Sequence, residues 1–238
     1  MKKITRGWQY AVYDLQNSRV RKQTSSTIFQ YLHILRTNVI VRWNIFAEAN
    51  KGMARVRDME KASNTYIKSI LPIFDAKLLG NPVFLDDGYE QDKCEVLCEI
   101  FKNCSVEKGK KIFDSYIQLI HTTWQYGFAD AVYNFCVNNG LNAQAQVIQL
   151  DFGELALNKA DVAQDIANKR WLQNASYVLF PKGELRDYFR DLMDKEITLQ
   201  KLDELWGAKL PAQSNNQTKA RQANHDATLN ISRHKGVA

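Results

Sequence analysis

The sequence has no long apolar run and, among its 238 residues, only four cysteines and four prolines. No stretch approaches the roughly 20 consecutive apolar residues that cross a bilayer, and no apolar signal region follows the charges of Met1-Lys2-Lys3. These absences predict a cytoplasmic protein with no membrane partner. Hydrophobic residues still make up 45% of the chain, which is enough for one large domain or two smaller units with real cores.

The cysteines do not form a metal-binding pattern. Cys94 and Cys98 stand four residues apart, but no second pair of cysteines or histidines stands at the spacing of a zinc finger. The histidines form no catalytic set, and no Gly-x-Ser-x-Gly pattern supports nucleophilic hydrolysis. We therefore expect free thiols in a reducing compartment.

Charge is distributed unevenly along the chain. Residues 1–70 contain 13 lysines and arginines against 4 acidic residues, whereas residues 71–210 contain 15 against 21. A basic first portion is typical of proteins that bind nucleic acid or nucleotide phosphates. It is equally compatible with a basic unit that faces an acidic one, so charge alone leaves both interpretations open.

Two segments of the first half are predicted to form β-hairpins. Residues 7–23 are rich in aromatic and β-branched side chains around the turn signal Gln16-Asn17-Ser18. Asn81-Pro82 and Asp87-Gly88 are turn signals on either side of the short apolar run 83–85. Together with the helical periods described next, these hairpins predict an α+β fold.

Helical periodicity dominates the rest of the chain. Apolar residues recur at three and four positions between residues 28 and 70, with an interruption near Lys51-Gly52 and a stop at Pro72. Another helix is predicted to end at Gly127, and Asn158 is a plausible N-cap for the helices that follow.

A second strand pair and a polar tail complete the predicted organisation. Residues 131–137 and 146–152 are predicted to pair as strands around the turn signal Asn139-Gly140, and the second strand leads into Asp151-Phe152-Gly153. Residues 211–238 lack aromatic residues and any apolar period, which predicts a disordered tail.

The order helix, acidic loop, strand, turn, strand and Asp-Phe-Gly resembles the C-terminal lobe of protein-kinase-like phosphotransferases. The resemblance is strongest over residues 110–155 and extends more weakly back to Gly7. It implies a compact two-lobed fold with a small β-containing N-lobe over residues 1–95. A mainly helical C-lobe would occupy residues 96–210, before the tail.

The resemblance also implies a site that uses ATP and Mg²⁺. Asp151 matches the metal-binding aspartate, and Asn134 would hold a second metal ion. Asp130 would act as catalytic base toward a hydroxyl acceptor, either a small molecule or a protein side chain. Lys22 would position the nucleotide phosphates, paired with a helical glutamate that we predict to be Glu48 in preference to Glu60.

The chain departs from the family at several positions. Asp130 and Asn134 are four residues apart where the family has five, and Phe128-Ala129 replaces the His-Arg that precedes the aspartate. The glycine-rich loop and the Ala-Pro-Glu motif are absent. The sequence is therefore more similar to small-molecule and atypical kinases, such as aminoglycoside-type phosphotransferases.

Two other functions remain open from the sequence. The missing glycine loop favours a pseudokinase that binds nucleotide, or only partners, without phosphoryl transfer. The basic first portion, with Arg55 and Arg57 on a helix and Trp43 and Tyr66 available to stack on bases, favours a nucleic-acid-binding helical protein.

Overall fold

The computed structural model describes residues 1–6, 10–25 and 45–211 of the chain. These residues form a mixed structure of helices and antiparallel sheets, which confirms the α+β class of the predicted fold. The predicted tail lies outside the described residues except for Pro211. In the described part of the chain, no helix is long and apolar enough to span a membrane.

Five strands form the main sheet, and its order is β1-β2-β3-β5-β4 with antiparallel neighbours. Both predicted hairpins, β2–β3 and β4–β5, are confirmed, and β1 adds an edge strand that the sequence analysis does not identify. The strands are β1 (Lys2–Arg6), β2 (Tyr10–Asp14), β3 (Arg19–Thr24), β4 (Val83–Leu85) and β5 (Gly88–Asp92).

Helices make up most of the remaining described chain. They are α1 (Ile45–Ile70), α2 (Leu97–Ile100), α3 (Val106–Gln125), α4 (Lys159–Ala167), α5 (Ala175–Val178), α6 (Glu184–Glu196) and α7 (Leu199–Leu205), with 3₁₀ turns at Ala76–Leu79 and Arg170–Leu172. The predicted interruption at Lys51-Gly52 is wrong, because α1 runs through it. A single glycine costs a helix only about 1 kcal/mol, which a long helix that packs on a core tolerates.

Helix α3 shows how local sequence sets the boundaries of an element. The Ser105 hydroxyl accepts a hydrogen bond from the Lys108 amide at 3.2 Å and caps the first turn. Gly127 follows the last turn at φ 72°, a left-handed conformation that glycine adopts without a Cβ penalty. The predicted end of this helix is confirmed.

The second strand pair differs from its prediction. Residues 131–137 form a bend at 131–132 and a turn at 135–137 in place of a strand, and Asn139-Gly140 begins a strand where a hairpin turn is predicted. The turn falls at residues 142–146, because the Asn142 side-chain oxygen accepts hydrogen bonds from the Gln144 and Gln146 amides. The short strands are β6 (Glu95–Val96), β7 (Ala129–Asp130), β8 (Asn139–Leu141), β9 (Val147–Gln149) and β10 (Leu155–Ala156).

Two apolar clusters hold these elements together. One lies between the main sheet and α1 and includes Tyr89, Phe128 and Phe152, all of which are fully buried. The other surrounds α3, with Phe113 and Trp124 at its centre. Side chains from segments 129–138 and 150–155 contribute to these clusters, and the same two segments carry several of the polar residues of the site.

Candidate functional site

A cavity of about 520 Å³ opens between the main sheet and residues 137–151. Lys22 on β3 and Gln91 on β5 contribute from the sheet, and Cys94 contributes from the segment that leaves it. Asn138 and Asp151 line the opposite side. The volume lies within the range of about 300–1,000 Å³ that is usual for small-molecule sites.

Contacts with both sides of the cavity hold the Lys22 side chain in place. Its Nζ donates a hydrogen bond to the Leu150 carbonyl at 2.5 Å and lies 5.3 Å from the centre of the Tyr89 ring. Burial lowers the pKa of Lys22, while the negative charge of Asp151 opposes this shift. A phosphate group that entered the cavity would therefore meet an ammonium group with little bulk water around it.

The Asp151-Phe152-Gly153 segment forms an anchored turn. The Asp151 Oδ1 accepts a hydrogen bond from the Gly153 amide at 3.1 Å, which sets the orientation of the carboxylate. Phe152 is fully buried and stacks on Tyr89, with ring centres 4.4 Å apart. The aromatic residue thus holds the turn against the sheet while the carboxylate of Asp151 lines the cavity.

Asp130 lies at the end of β7 and lines a small separate pocket instead of the 520 Å³ cavity. Its carboxylate accepts hydrogen bonds from the Val132 amide at 2.9 Å and from the Asn138 amide group at 3.5 Å. Burial, with a smaller contribution from the charge of Asp151, raises the pKa of Asp130 to about 7. The hydrogen bonds oppose this rise but do not cancel it.

The asparagine beside Asp151 is Asn138, although the sequence predicts Asn134 for this position. The Asn138 carbonyl accepts hydrogen bonds from the Leu150 amide at 2.7 Å and the Asp151 amide at 3.3 Å. Asn134 instead accepts a hydrogen bond from the Ser176 hydroxyl and lines a separate cavity. The shift arises because residues 131–137 contain a bend and a turn in place of a strand, and the strand starts only at Asn139.

Glu60 is the helical glutamate that the structure brings close to the site. Its Oε1 accepts a hydrogen bond from the Tyr10 hydroxyl at 2.6 Å, and the residue is 8% exposed. Burial raises the pKa of Glu60, and the charge of Asp151 raises it further. Glu48, the predicted partner of Lys22, lies in α1, but its side chain is outside the described residues.

Negative charge accumulates around Asp151. Its carboxylate contributes to the raised pKa values of Glu60, Asp130 and Glu154, although burial is the largest cause for each. Carboxylates that disfavour one another's ionised form in this way are stabilised by a cation. The arrangement therefore favours a positively charged ligand close to Asp151.

The oxygen ligands available beside Asp151 are of the kind that Mg²⁺ prefers. The part of the chain that the structure describes contains no group of three or more His, Cys, Asp or Glu residues arranged to hold a metal. Magnesium does not require one, because it commonly takes one or two protein oxygens and completes its shell with water and substrate phosphates. The Asp151 carboxylate and the Asn138 side-chain oxygen are hard donors on one cavity wall.

Sequence reasoning missed Asn138 and Tyr10 as parts of the site. Asn138 directly precedes the true strand β8, so a correct strand boundary would have identified it. Tyr10 was visible only as a strand residue, because its contact with Glu60 joins positions that are 50 residues apart. No local pattern in the sequence reports such a contact.

The aromatic residues of the nucleic-acid hypothesis are not both available for stacking. Tyr66 donates its hydroxyl to the Tyr126 carbonyl at 2.6 Å, and its ring packs edge-on against Phe128 at 6.1 Å. Trp43 lies outside the described residues. The structure therefore gives this hypothesis no pair of exposed aromatic residues.

No protein-family model matches the chain. No curated protein matches it at a significant level. The function must therefore be argued from the site itself.

Proposed function

We propose that the protein is a compact kinase-like phosphotransferase that binds a nucleoside triphosphate and Mg²⁺ in the 520 Å³ cavity. The observation that carries the proposal is the placement of Lys22 and Asp151, 129 positions apart in sequence, in the wall of that one cavity. The main sheet would correspond to the smaller lobe of such a fold and the helices after α2 to the larger one.

Each residue has a role that follows from its position. Lys22 would bind the nucleotide phosphates, since its ammonium group is already directed to the cavity wall at Leu150. Asp151 and Asn138 would hold Mg²⁺, which supplies charge neutralisation on the phosphates when bound. Glu60 would support the sheet through Tyr10 and would not contact the phosphates.

Asp130 would act on the acceptor hydroxyl. As the acceptor oxygen bonds to the terminal phosphorus, the bond from that phosphorus to the departing nucleoside diphosphate breaks, and the hydroxyl proton passes to the Asp130 carboxylate. The hydrogen bonds from Val132 and Asn138 would orient that carboxylate. Catalysis would rest on positioning and on charge neutralisation.

A thermal-shift experiment with ATP, with and without Mg²⁺, tests the binding step. At a hundredfold excess over its dissociation constant, a ligand that binds only the folded state stabilises it by about 2.7 kcal/mol, or several degrees in melting temperature. We expect a magnesium-dependent shift in the wild type and in the control Asp191→Asn, which changes an exposed acid of α6. Asp151→Asn should lose the shift while keeping the fold, because the amide can still accept the hydrogen bond from Gly153.

Thiol labelling can locate the bound nucleotide. Cys94 lines the cavity, whereas Cys104 does not, and both thiols are free and partly exposed. We expect ATP with Mg²⁺ to slow the alkylation of Cys94 and to leave Cys104 unchanged. Equal rates with and without nucleotide at both thiols, together with no thermal shift, would refute the proposal.

One observation favours a second candidate, a nucleotide-binding protein without transfer activity. The ammonium group of Lys22 is already engaged by the Leu150 carbonyl at 2.5 Å, so a phosphate must compete for it. Asp130→Asn separates the two functions. In an active enzyme this variant should keep the magnesium-dependent shift and lose ADP formation, whereas in a binding protein neither the wild type nor the variant should form ADP.

A further inference from the structure

A second cavity of about 320 Å³ lies beside the first. Cys98 and Val137 line both cavities and form the partition between them. The rest of its lining comes from Phe101 and Lys102, from Asn134 and Cys136, and from residues 175–181. Its volume is sufficient for a small organic molecule.

The Asn134 NH₂ group is an unpaired hydrogen-bond donor among the described polar groups that line this cavity. The Ser176 hydroxyl oxygen accepts a hydrogen bond from the Cys136 amide at 3.3 Å, so its own proton is free to go to the Asn134 Oδ1. This contact occupies the amide oxygen of Asn134 and leaves its NH₂ group directed to other partners. Within the described part of the chain, that NH₂ group makes no hydrogen bond, so a ligand that bonds here must present an acceptor oxygen.

The charge at the rim agrees with this requirement. Lys102 lines the cavity and is the one positively charged residue in the part of its lining that the structure describes. Its ammonium group lies 2.6 Å from a Glu99 oxygen, but both side chains are more than half exposed, so this contact is weak. A carboxylate in the cavity would add a second anionic partner for Lys102.

The walls are apolar and partly open to solvent. Phe101, Phe180 and Pro181 line the cavity, and Leu179 and Val137 are 82% and 56% exposed at its edge. Covering two such side chains with an apolar ligand removes unfavourable surface from water. The walls therefore select a ligand with an apolar body, and the Asn134 NH₂ group selects its head group.

We propose that this second cavity is a binding site for a small apolar carboxylate, such as a medium-chain fatty acid or an arylalkanoic acid. The apolar body would lie against Phe101, Phe180 and Leu179, and the carboxylate would accept hydrogen bonds from the Asn134 NH₂ group and from Lys102. The proposal does not depend on the nucleotide function, because among the residues that the structure describes Cys98 and Val137 alone line both cavities.

Titration calorimetry with octanoate and with octylamine, both below micelle-forming concentrations, tests the head-group preference. The two probes share an apolar chain and differ in the charge of the head. We expect octanoate to bind the wild type at least tenfold more tightly than octylamine. Octanoate should also slow the alkylation of Cys98, in the partition, relative to Cys104, which lines neither cavity.

Two variants test whether octanoate binds in this cavity. Asn134→Asp keeps an oxygen for the Ser176 hydroxyl but replaces the NH₂ group with an anionic oxygen, so octanoate binding should fall at least tenfold and octylamine should become the preferred probe. Leu179→Lys places a charged stem at the rim and should weaken binding of the octyl chain. Leu199→Lys, at an apolar residue that is 48% exposed on α7, is the matched control and should bind octanoate as the wild type does.

Two outcomes would overturn the proposal. Equal affinity for octanoate and octylamine in the wild type would mean that the chain binds by nonspecific apolar contact. Unchanged octanoate affinity in both Asn134→Asp and Leu179→Lys would place the ligand elsewhere. Circular dichroism of each variant establishes that it is folded before its affinity is compared.

Discussion

Replacement of Asp130 by asparagine should stabilise the protein relative to the wild type, and this gain should be larger at neutral pH than at acidic pH. The pKa of Asp130 is raised in the folded protein from 3.8 to about 7, chiefly by burial. Below pH 3.8 the carboxyl group is protonated in both the folded and unfolded states, so it costs nothing. Between pH 3.8 and about 7 the unfolded chain ionises this group while the folded protein keeps it protonated, so stability is lost progressively over this range and no further above it.

The magnitude follows from the size of the shift. A rise from 3.8 to about 7 corresponds to a loss of about 4 kcal/mol in the free energy of unfolding once both states are ionised. Asp130 retains some exposure to solvent, which reduces this figure. We therefore expect the unfolding free energy of Asp130→Asn minus that of the wild type to increase by about 2 to 4 kcal/mol between pH 4 and pH 8.

Urea denaturation followed by circular dichroism at several pH values measures this difference. EDTA is present and nucleotide is left out, so that only the side chain is changed. Asp191→Asn, which removes an exposed acid, is the control for loss of one charge. The argument that Asp130 is ionised at a cost is refuted if the difference in unfolding free energy between Asp130→Asn and the wild type changes by less than about 0.5 kcal/mol between pH 4 and pH 8.

Three further predictions concern the elements that build the site. Phe152→Ala should destabilise the protein by about 3 to 5 kcal/mol in urea denaturation, since the ring is fully buried on Tyr89, whereas Leu179→Ala at an exposed position should change stability by less than about 0.5 kcal/mol. Gly88→Ala should lower the melting temperature far more than Gly183→Ala. Both glycines have positive φ, but a Cβ at Gly88 would lie 1.9 Å from the Lys22 backbone oxygen, whereas a Cβ at Gly183 would meet nothing within 4 Å. Equal losses in melting temperature would contradict this reasoning. Lys22→Met should raise the melting temperature and abolish the shift with ATP, because the folded state lowers the pKa of this lysine and so holds its charge at a cost below the unfolded pKa.

The sequence was sufficient where turn chemistry is local. The hairpin at Asp87-Gly88 forms as predicted, with the Thr24 amide bound to the Asp87 carbonyl at 2.8 Å and the glycine at a φ of 151°. The helix that ends at Gly127 follows the same logic. In both places the residue type that fixes the backbone lies at the boundary itself.

Prediction failed where burial occurs without regular structure. Residues 131–137 alternate like a strand, and Tyr133 and Phe135 are indeed buried. Tyr133, however, has a φ of 50° and lies between a bend at residues 131–132 and a turn at residues 135–137. Periodicity reports which side chains are buried and does not report whether the backbone pairs. This error displaces the strand start and makes Asn134, in place of Asn138, the predicted neighbour of Asp151.

The choice between Glu48 and Glu60 required the tertiary structure for a different reason. Both residues lie on one long helix, and the sequence contains no signal that fixes which of its faces meets the sheet. The contact from the Tyr10 hydroxyl selects Glu60 as a buried acid. Helix register against a sheet is set by packing along its whole length, so it cannot be obtained from the local residues.

The ionisable groups around the cavity are difficult to explain by folding alone. Burial shifts the pKa values of Lys22, Glu60 and Asp130 in the direction that disfavours their charged forms. Apolar residues of similar size at these positions would commonly give an equally stable or more stable protein. Lys22 lines the cavity, and the charge of Asp151 in its opposite wall reaches Glu60 and Asp130. Groups held at such a cost around one carboxylate are typical of sites that bind or transform a charged ligand. A ligand that carries both phosphate and a divalent cation would relieve the cost at Lys22 and at the acidic cluster together, and for this reason we prefer the nucleotide–magnesium hypothesis to binding of an anion alone.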